Sequence, residues 1–111
     1  MKIVIKGKDE IIAIRLMFYA IASIEVKELS VPDTLFVQEA RKICLNFIIK
    51  GDTNRLKLTV MMLLMIDYYY DFLCENLPEF EKNVLLKIMA EMQKQCTNAV
   101  INQNLLSNGK F

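Results

Sequence analysis

Histidine and tryptophan are absent from this 111-residue chain, and glycine occurs three times, proline twice and cysteine three times. Each shortage removes a class of chemistry. Without histidine, the commonest general base and metal ligand near neutral pH is missing. Gly7, Gly51 and Gly109 stand alone, so no glycine-rich loop can wrap a phosphate in backbone N–H groups. Cys44, Cys74 and Cys96 lie far apart with no Cys-x-x-Cys spacing, which speaks against a disulfide framework and a zinc site. They are expected as small buried apolar side chains in a reducing compartment. There is no GxSxG motif, and Cys74 beside Glu75 lacks the positive surroundings that make a thiolate. The sequence therefore reads as non-enzymatic, with no metal site and no cofactor. The longest unbroken apolar run, Val60 to Ile66, falls far short of the ~20 residues that cross a bilayer. Met1 to Lys6 alternates charge with β-branched residues and is no leader segment, so a soluble, cytoplasmic protein is expected. The formal net charge of +1 argues against sequence-independent DNA binding as the main task.

What the chain does have is apolar content: 54% of residues are hydrophobic and 24% charged, enough for a packed core in one domain. Lys2-Ile3-Val4-Ile5-Lys6, closed by Gly7, reads as a strand. It needs a partner, and Ile24-Glu25-Val26-Lys27-Glu28 alternates well enough to supply one through a parallel crossover. The rival reading keeps 24–28 helical. A first helix is expected from about Asp9 to Ser23, with Asp9 and Glu10 suiting its first turn. Ser30-Val31-Pro32-Asp33 is a helix start, and the second helix runs to about Lys50 with Phe36, Ala40, Ile43, Cys44, Phe47 and Ile48 inward. Gly51 then ends it and Asp52 caps a third helix over residues 53–76, joined by a tight corner so that the two pack side by side. A fourth helix begins at Pro78 and buries Phe80, Val84, Leu85, Ile88, Met89, Met92, Cys96, Ala99 and Val100; residues 107–111 read as a frayed tail. The expected fold is mainly α: a short N-terminal strand followed by a four-helix bundle-like domain in residues 1–111.

Two helices are too apolar for one-sided burial. From Ile11 to Ile24 only Arg15 and Ser23 are polar, and from Val60 to Tyr70 only Asp67 is charged. Both are expected at the centre of the domain, with a second copy covering what remains, most simply as a two-fold dimer. Seven methionines, Met61, Met62, Met65, Met89 and Met92 among them, read as core filler or as an adaptable groove.

Charge is segregated along the chain. Lys42, Lys50, Arg55 and Lys57 face one acid, Asp52, and then no base occurs before Lys82. That stretch carries Asp67, Asp71, Glu75, Glu79 and Glu81, the first three at i, i+4, i+8 along one side of a helix. Like charges at that spacing, and acids at a helix C-terminus, oppose local stability. They read either as a solvated face neutralised by Lys82, Lys87 and Lys94, or as a strip that docks on a basic surface of another protein. A metal at Asp67 and Asp71 would need a further ligand from elsewhere. Tyr68, Tyr69 and Tyr70 interrupt the strip; three successive helical residues span about 200°, so at least one reaches the surface as a candidate anchor. The partner-binding set is thus Asp67, Tyr68, Tyr69, Asp71, Glu75 and Glu79. The alternative is a nucleic-acid-binding set around the corner between the second and third helices: Arg41, Lys42, Lys50, Arg55 and Lys57. That corner loosely resembles a helix-turn-helix, but the third helix is too apolar to lie in a groove, so nucleic acid is the less favoured partner.

Met1-Lys2-Ile3-Val4-Ile5-Lys6-Gly7-Lys8, followed by an acid and a helix, resembles the start of many short accessory proteins of phages and mobile elements. The richness in Ile, Lys, Asn, Tyr and Phe is similar to products of AT-rich genomes of that kind. The resemblance implies a small protein that acts by binding, of the type that inhibits restriction, CRISPR and other host defences, in the host cytoplasm. It carries no functional residues over to this chain. The leading expectation is a phage-type, anti-CRISPR-like inhibitor that binds a host protein through the acidic strip. Beside it stand a nucleic-acid-binding regulator and an oligomeric scaffold that sequesters a small ligand between subunits.

Overall fold

Along the described residues run β1 (Ile3–Lys6), α1 (Lys8–Ala22), α2 (Val31–Lys50), β2 (Arg55–Leu58), α3 (Val60–Tyr68), α4 (Tyr70–Asn76) and α5 (Glu79–Asn108). This computed structural model describes residues 1–25, 27, 30–51 and 53–108, and of 99–108 the backbone only. The protein is mainly α with a short N-terminal strand, in line with the sequence.

β1 finds its partner further along the chain than expected. It pairs antiparallel with β2, in the register Ile3↔Leu58, Val4↔Lys57, Ile5↔Leu56 and Lys6↔Arg55. Of the parallel partner considered at 24–28, Ile24, Glu25 and Lys27 are outside any strand, and Val26 and Glu28 lie outside the described residues. The pairing with β2 suits side-chain alternation. Leu56 and Leu58 point to the face that also holds Ile3 and Ile5, while Arg55 and Lys57 point to water. This strand occupies the start of what the sequence suggested as one helix over 53–76. The cap of α3 is therefore Thr59, whose hydroxyl accepts from the Met62 N–H at 3.1 Å. Asp52, the expected cap, lies outside the described residues.

α1 occupies the centre, packed against α2, α4, α5 and both strands. Ile14, Met17, Phe18 and Ile21 are fully enclosed. α2 returns antiparallel along it. The two meet where Phe18 lies 6.2 Å from Phe47, where Arg41 Nε donates to the Ala22 carbonyl at 3.2 Å, and where Arg15 donates to the Gly51 carbonyl. α2 starts as its sequence dictates: the Ser30 hydroxyl accepts from the Asp33 N–H, with a proline in the first turn. It ends at Gly51, whose φ of +69° and ψ of −151° are open to glycine and strained for other residues. One inward assignment on α2 is overturned and one residue joins the core. Val37 is buried, whereas Ile48 is 66% exposed, on the outer face of the helix.

α3 is not the second central helix. Met65 and Ile66 are enclosed, but Val60, Met61 and Leu64 remain open to solvent. A single residue, Tyr69, separates α3 from α4, with φ −99° and ψ 19° outside the helical well. On α5, Val84, Leu85 and Ile88 are buried, and Met89 and Met92 partly so, while Phe80 and Cys96 are exposed. Ala99 and Val100 fall where only the backbone is described, and α5 continues through Asn108, past the expected fraying point at Ser107. Residues 109–111 lie outside the described residues. The radius of gyration, 16.0 Å, exceeds the ~13 Å typical of a globule this long, as a 30-residue final helix makes inevitable.

Candidate functional site

The tyrosine run resolves into three roles. Tyr69 turns inward and is buried, Tyr70 is half-buried, and Tyr68 stays 48% exposed. Tyr69 hydroxyl donates to Asp33 Oδ1 at 2.9 Å, tying the α3–α4 junction to the first turn of α2. Asp33 also accepts from the Ser30 hydroxyl at 2.7 Å. These bonds, Ser30 first, hold its carboxyl below the usual carboxylate range, while burial and the Asp33 carboxylate push the Tyr69 phenol up. Around this link the rings form a cluster. Phe36 lies 5.0 Å from Tyr68 and 6.2 Å from Tyr69; Tyr68 and Tyr69 meet edge-to-face at 4.9 Å; Phe72 lies 6.3 Å from Tyr69.

Asp67, Asp71 and Glu75 are all exposed beside this cluster. They do not share one unbroken helix, because the break at Tyr69 falls between the first and second. Of the bases expected to neutralise them, Lys87 is engaged elsewhere, paired with Glu10 of α1 at 3.2 Å. Glu79 has a local explanation: it lies in the first turn of α5, where a carboxylate suits the helix dipole. Among the described residues no group of three His, Cys, Asp or Glu side chains is placed to hold a metal ion.

The basic set divides. Arg41 is spent on the carbonyl end of α1, and Lys42 lies exposed on α2 outside the cleft. Lys50, Arg55 and Lys57 instead surround a cleft of about 400 Å³ between the end of α2, β2 and the start of α3. The sequence reading did not assign Arg15 to this group, yet its side chain lines the same cleft, with its guanidinium 5.5 Å from the Phe47 ring. The signal was present: Arg15 is the lone charge in an otherwise apolar helix interior.

A third feature is the outer face of α2. Val31, Leu35, Leu45 and Ile49 are 73%, 59%, 59% and 79% exposed. With Gln38 and Lys42 they recur at alternating steps of four and three residues. Among the described residues no helix is long and apolar enough to cross a membrane. Comparison with protein-family models, with curated proteins and with solved structures finds no match to the chain.

Proposed function

We propose that the protein works by binding rather than catalysis, and that the acidic face of α3 and α4 docks on a basic, nucleic-acid-binding surface of a host protein. The observation that supports this best is the condition of Tyr68. It is half exposed, yet its ring is held between Phe36 and Tyr69 at 5.0 and 4.9 Å. An aromatic side chain fixed before docking loses little rotamer freedom on binding, which is how interface anchors gain affinity. Exposed Asp67 and Asp71 flank it and supply charge complementarity to lysine and arginine. The resemblance of the first eight residues to phage accessory proteins supports a specific setting, inhibition of a host defence or CRISPR-type effector. The test begins with the companion protein identified by native mass spectrometry after purification from the natural host. The variant Asp67→Lys/Asp71→Lys/Glu75→Lys is expected to lose that companion with its thermal midpoint nearly unchanged. Unaltered affinity refutes the docking face.

The protein is also proposed to pair with a second copy through the outer face of α2. Steps of four and three residues make the seam along which two helices interlock, and Gln38 and Lys42 supply the polar positions that fix register within such a seam. With Ile48, five large side chains are each more than half exposed on this helix. They fall in two groups, Val31 with Leu35 near the start of the helix and Leu45 with Ile48 and Ile49 near its end, and a second copy laid along the seam covers both.

A further inference from the structure

Beyond these two docking faces, we propose that the free edge of β1 accepts one extended, uncharged peptide segment of another protein as an added strand, in the groove between β1 and α5, and that Gln95 holds the first place on that edge until the segment arrives. A two-stranded sheet leaves one edge of each strand unpaired. On β1 that edge turns toward α5. The groove between them measures about 330 Å³, with Ile3 and Ile5 on one side and Val84 and Ile88 on the other. The observation that carries the inference is the bonding of Gln95. Its Oε1 accepts from the Lys2 N–H at 3.0 Å, and its Nε2 donates to the Lys2 carbonyl at 2.9 Å. A carboxamide is the side-chain counterpart of a peptide group, and this two-point bond is what a neighbouring strand makes with one residue. Glu91 Oε1 also accepts from Nε2, at 3.0 Å, and fixes the orientation of the amide. Backbone groups two residues apart in a strand point the same way, so the N–H and carbonyl of Val4 face the groove as those of Lys2 do. Among the described residues no group outside the sheet bonds to them.

The shape of the groove selects its occupant. α5 walls the far side, so a single strand fits, whereas the β1 of a second copy brings its own α5 along and is kept out. Pairing two β1 edges about a two-fold at Val4 would also set Lys2 against Lys6. The charges on the helical walls are engaged already: Lys87 pairs with Glu10 at 3.2 Å, and Glu91 holds Gln95. A side chain entering beside Val84 and Ile88 therefore meets apolar surface and has to be apolar itself. Strand pleating sets such side chains at every second position, opposite Ile3 and Ile5. A tail or linker with that alternation, and with no strand already paired to it, meets both conditions; its backbone supplies the affinity and its alternate side chains the selectivity.

The experiment is a titration of uniformly ¹⁵N-labelled protein with acetyl-Thr-Val-Thr-Val-Thr-amide, followed by amide shifts and hydrogen exchange. Half-saturation is expected below ~1 mM, with the largest shifts at Lys2 and Val4 and exchange of the Val4 amide slowed by ~10-fold or more in the bound state. The same peptide with its backbone amides N-methylated is expected to bind at least ~10-fold more weakly, since it cannot donate to the edge. Val4→Pro removes an edge N–H that the ladder with β2 does not use, and is expected to weaken binding ~5-fold or more. If that variant folds poorly, the N-methylated peptide gives the same readout on unaltered protein. Gln95→Ala empties the first place and is expected to tighten binding ~3-fold or more. No shifts at ~5 mM peptide, or equal affinity for the N-methylated form, overturns strand addition. Unchanged or weaker binding by Gln95→Ala overturns the placeholder role. Equal affinity for a peptide with aspartate in place of valine overturns the apolar floor. Protection of Val4 that grows with protein concentration alone overturns the single-strand occupant in favour of a second copy.

Discussion

Leu45→Lys/Ile49→Lys on the outer face of α2 separates the stability of one protomer from that of a pair. In a single protomer these side chains are 59% and 79% exposed. Surface exchanges of this kind usually change folding stability by no more than ~0.5 kcal/mol. In a two-fold pair each position counts twice. Full burial of a Leu or Ile side chain contributes about 1.5–3 kcal/mol. With more than half of each still open in the protomer, about 1–2 kcal/mol per side chain remains to be gained on pairing. Four side chains then contribute roughly 4–8 kcal/mol gross, before the ordering costs of association. A pair with a micromolar Kd rests on about 8 kcal/mol, so the variant moves association beyond the millimolar range. Light scattering coupled to size exclusion, run from ~10 to ~500 µM, reads the mass directly. The expected result is a wild-type dimer, a monomeric variant, and a thermal midpoint that rises with concentration only in the wild type. A wild-type monomer at the highest concentration refutes the seam, as does a variant that still pairs.

Acid and alkali should each destabilise the fold through one hydrogen bond. The Asp33 carboxyl is held below its ordinary range by Ser30 and Tyr69, so its contribution is present above the unfolded pKa of ~3.9 and lost as pH falls through the folded value. The Tyr69 phenol is raised by burial and by Asp33, so its contribution is present below ~10 and lost as pH rises beyond. Melting temperatures are expected to fall at both extremes, and Tyr69→Phe should shrink the alkaline arm, to which Cys44 and Tyr70, also raised, contribute the rest; an unchanged alkaline arm contradicts the assignment. Gly7→Ala is expected to destabilise by about 1–3 kcal/mol, because φ is +114° while nothing lies within 4 Å of an added Cβ, leaving backbone strain as the cost. A neutral result in urea denaturation argues against that conformation. Alkylation with iodoacetamide followed by peptide mapping should modify Cys96 first and Cys44 last, since Cys96 is exposed and burial both covers Cys44 and raises its thiol pKa. The reverse order counts against the placement of these helices.

The elements announced by local chemistry were legible. Gly7 ends β1, Ser30 and Pro32 open α2, Gly51 closes it, and Val84, Leu85 and Ile88 keep the period of α5. β2 was not, because its alternation lasts only from Arg55 to Leu58 and runs almost directly into the apolar segment of α3. Four residues of period two are easily absorbed into a helical window. The break at Tyr69 was hidden for a different reason. Any tyrosine of the run fits a helix, and the bond that distinguishes Tyr69 reaches Asp33, 36 residues away. On the acidic face, exposure of Asp67, Asp71 and Glu75 followed from the pattern, whereas the seating of Tyr68 against Phe36 did not. The cleft was half visible: Lys50, Arg55 and Lys57 stood out as a basic run, but Arg15 joins them only through the antiparallel return of α2. Expecting all three cysteines inside overlooked that Cys96 falls on a side of α5 open to solvent, while Gln95 beside it bonds to Lys2.

The pairing of Ile3 with Leu58 sets an order of events during synthesis. β1 leaves the ribosome before β2, and some fifty residues must follow it before its hydrogen-bonding mate exists, about half the length of this chain. In that interval α1 and α2 can already zip together, while Ile3 and Ile5 wait on an unmatched edge that invites other nascent chains. Lys2 and Lys6 bracket the ribbon with like charge, the kind of guard that keeps such edges apart until their own strand arrives.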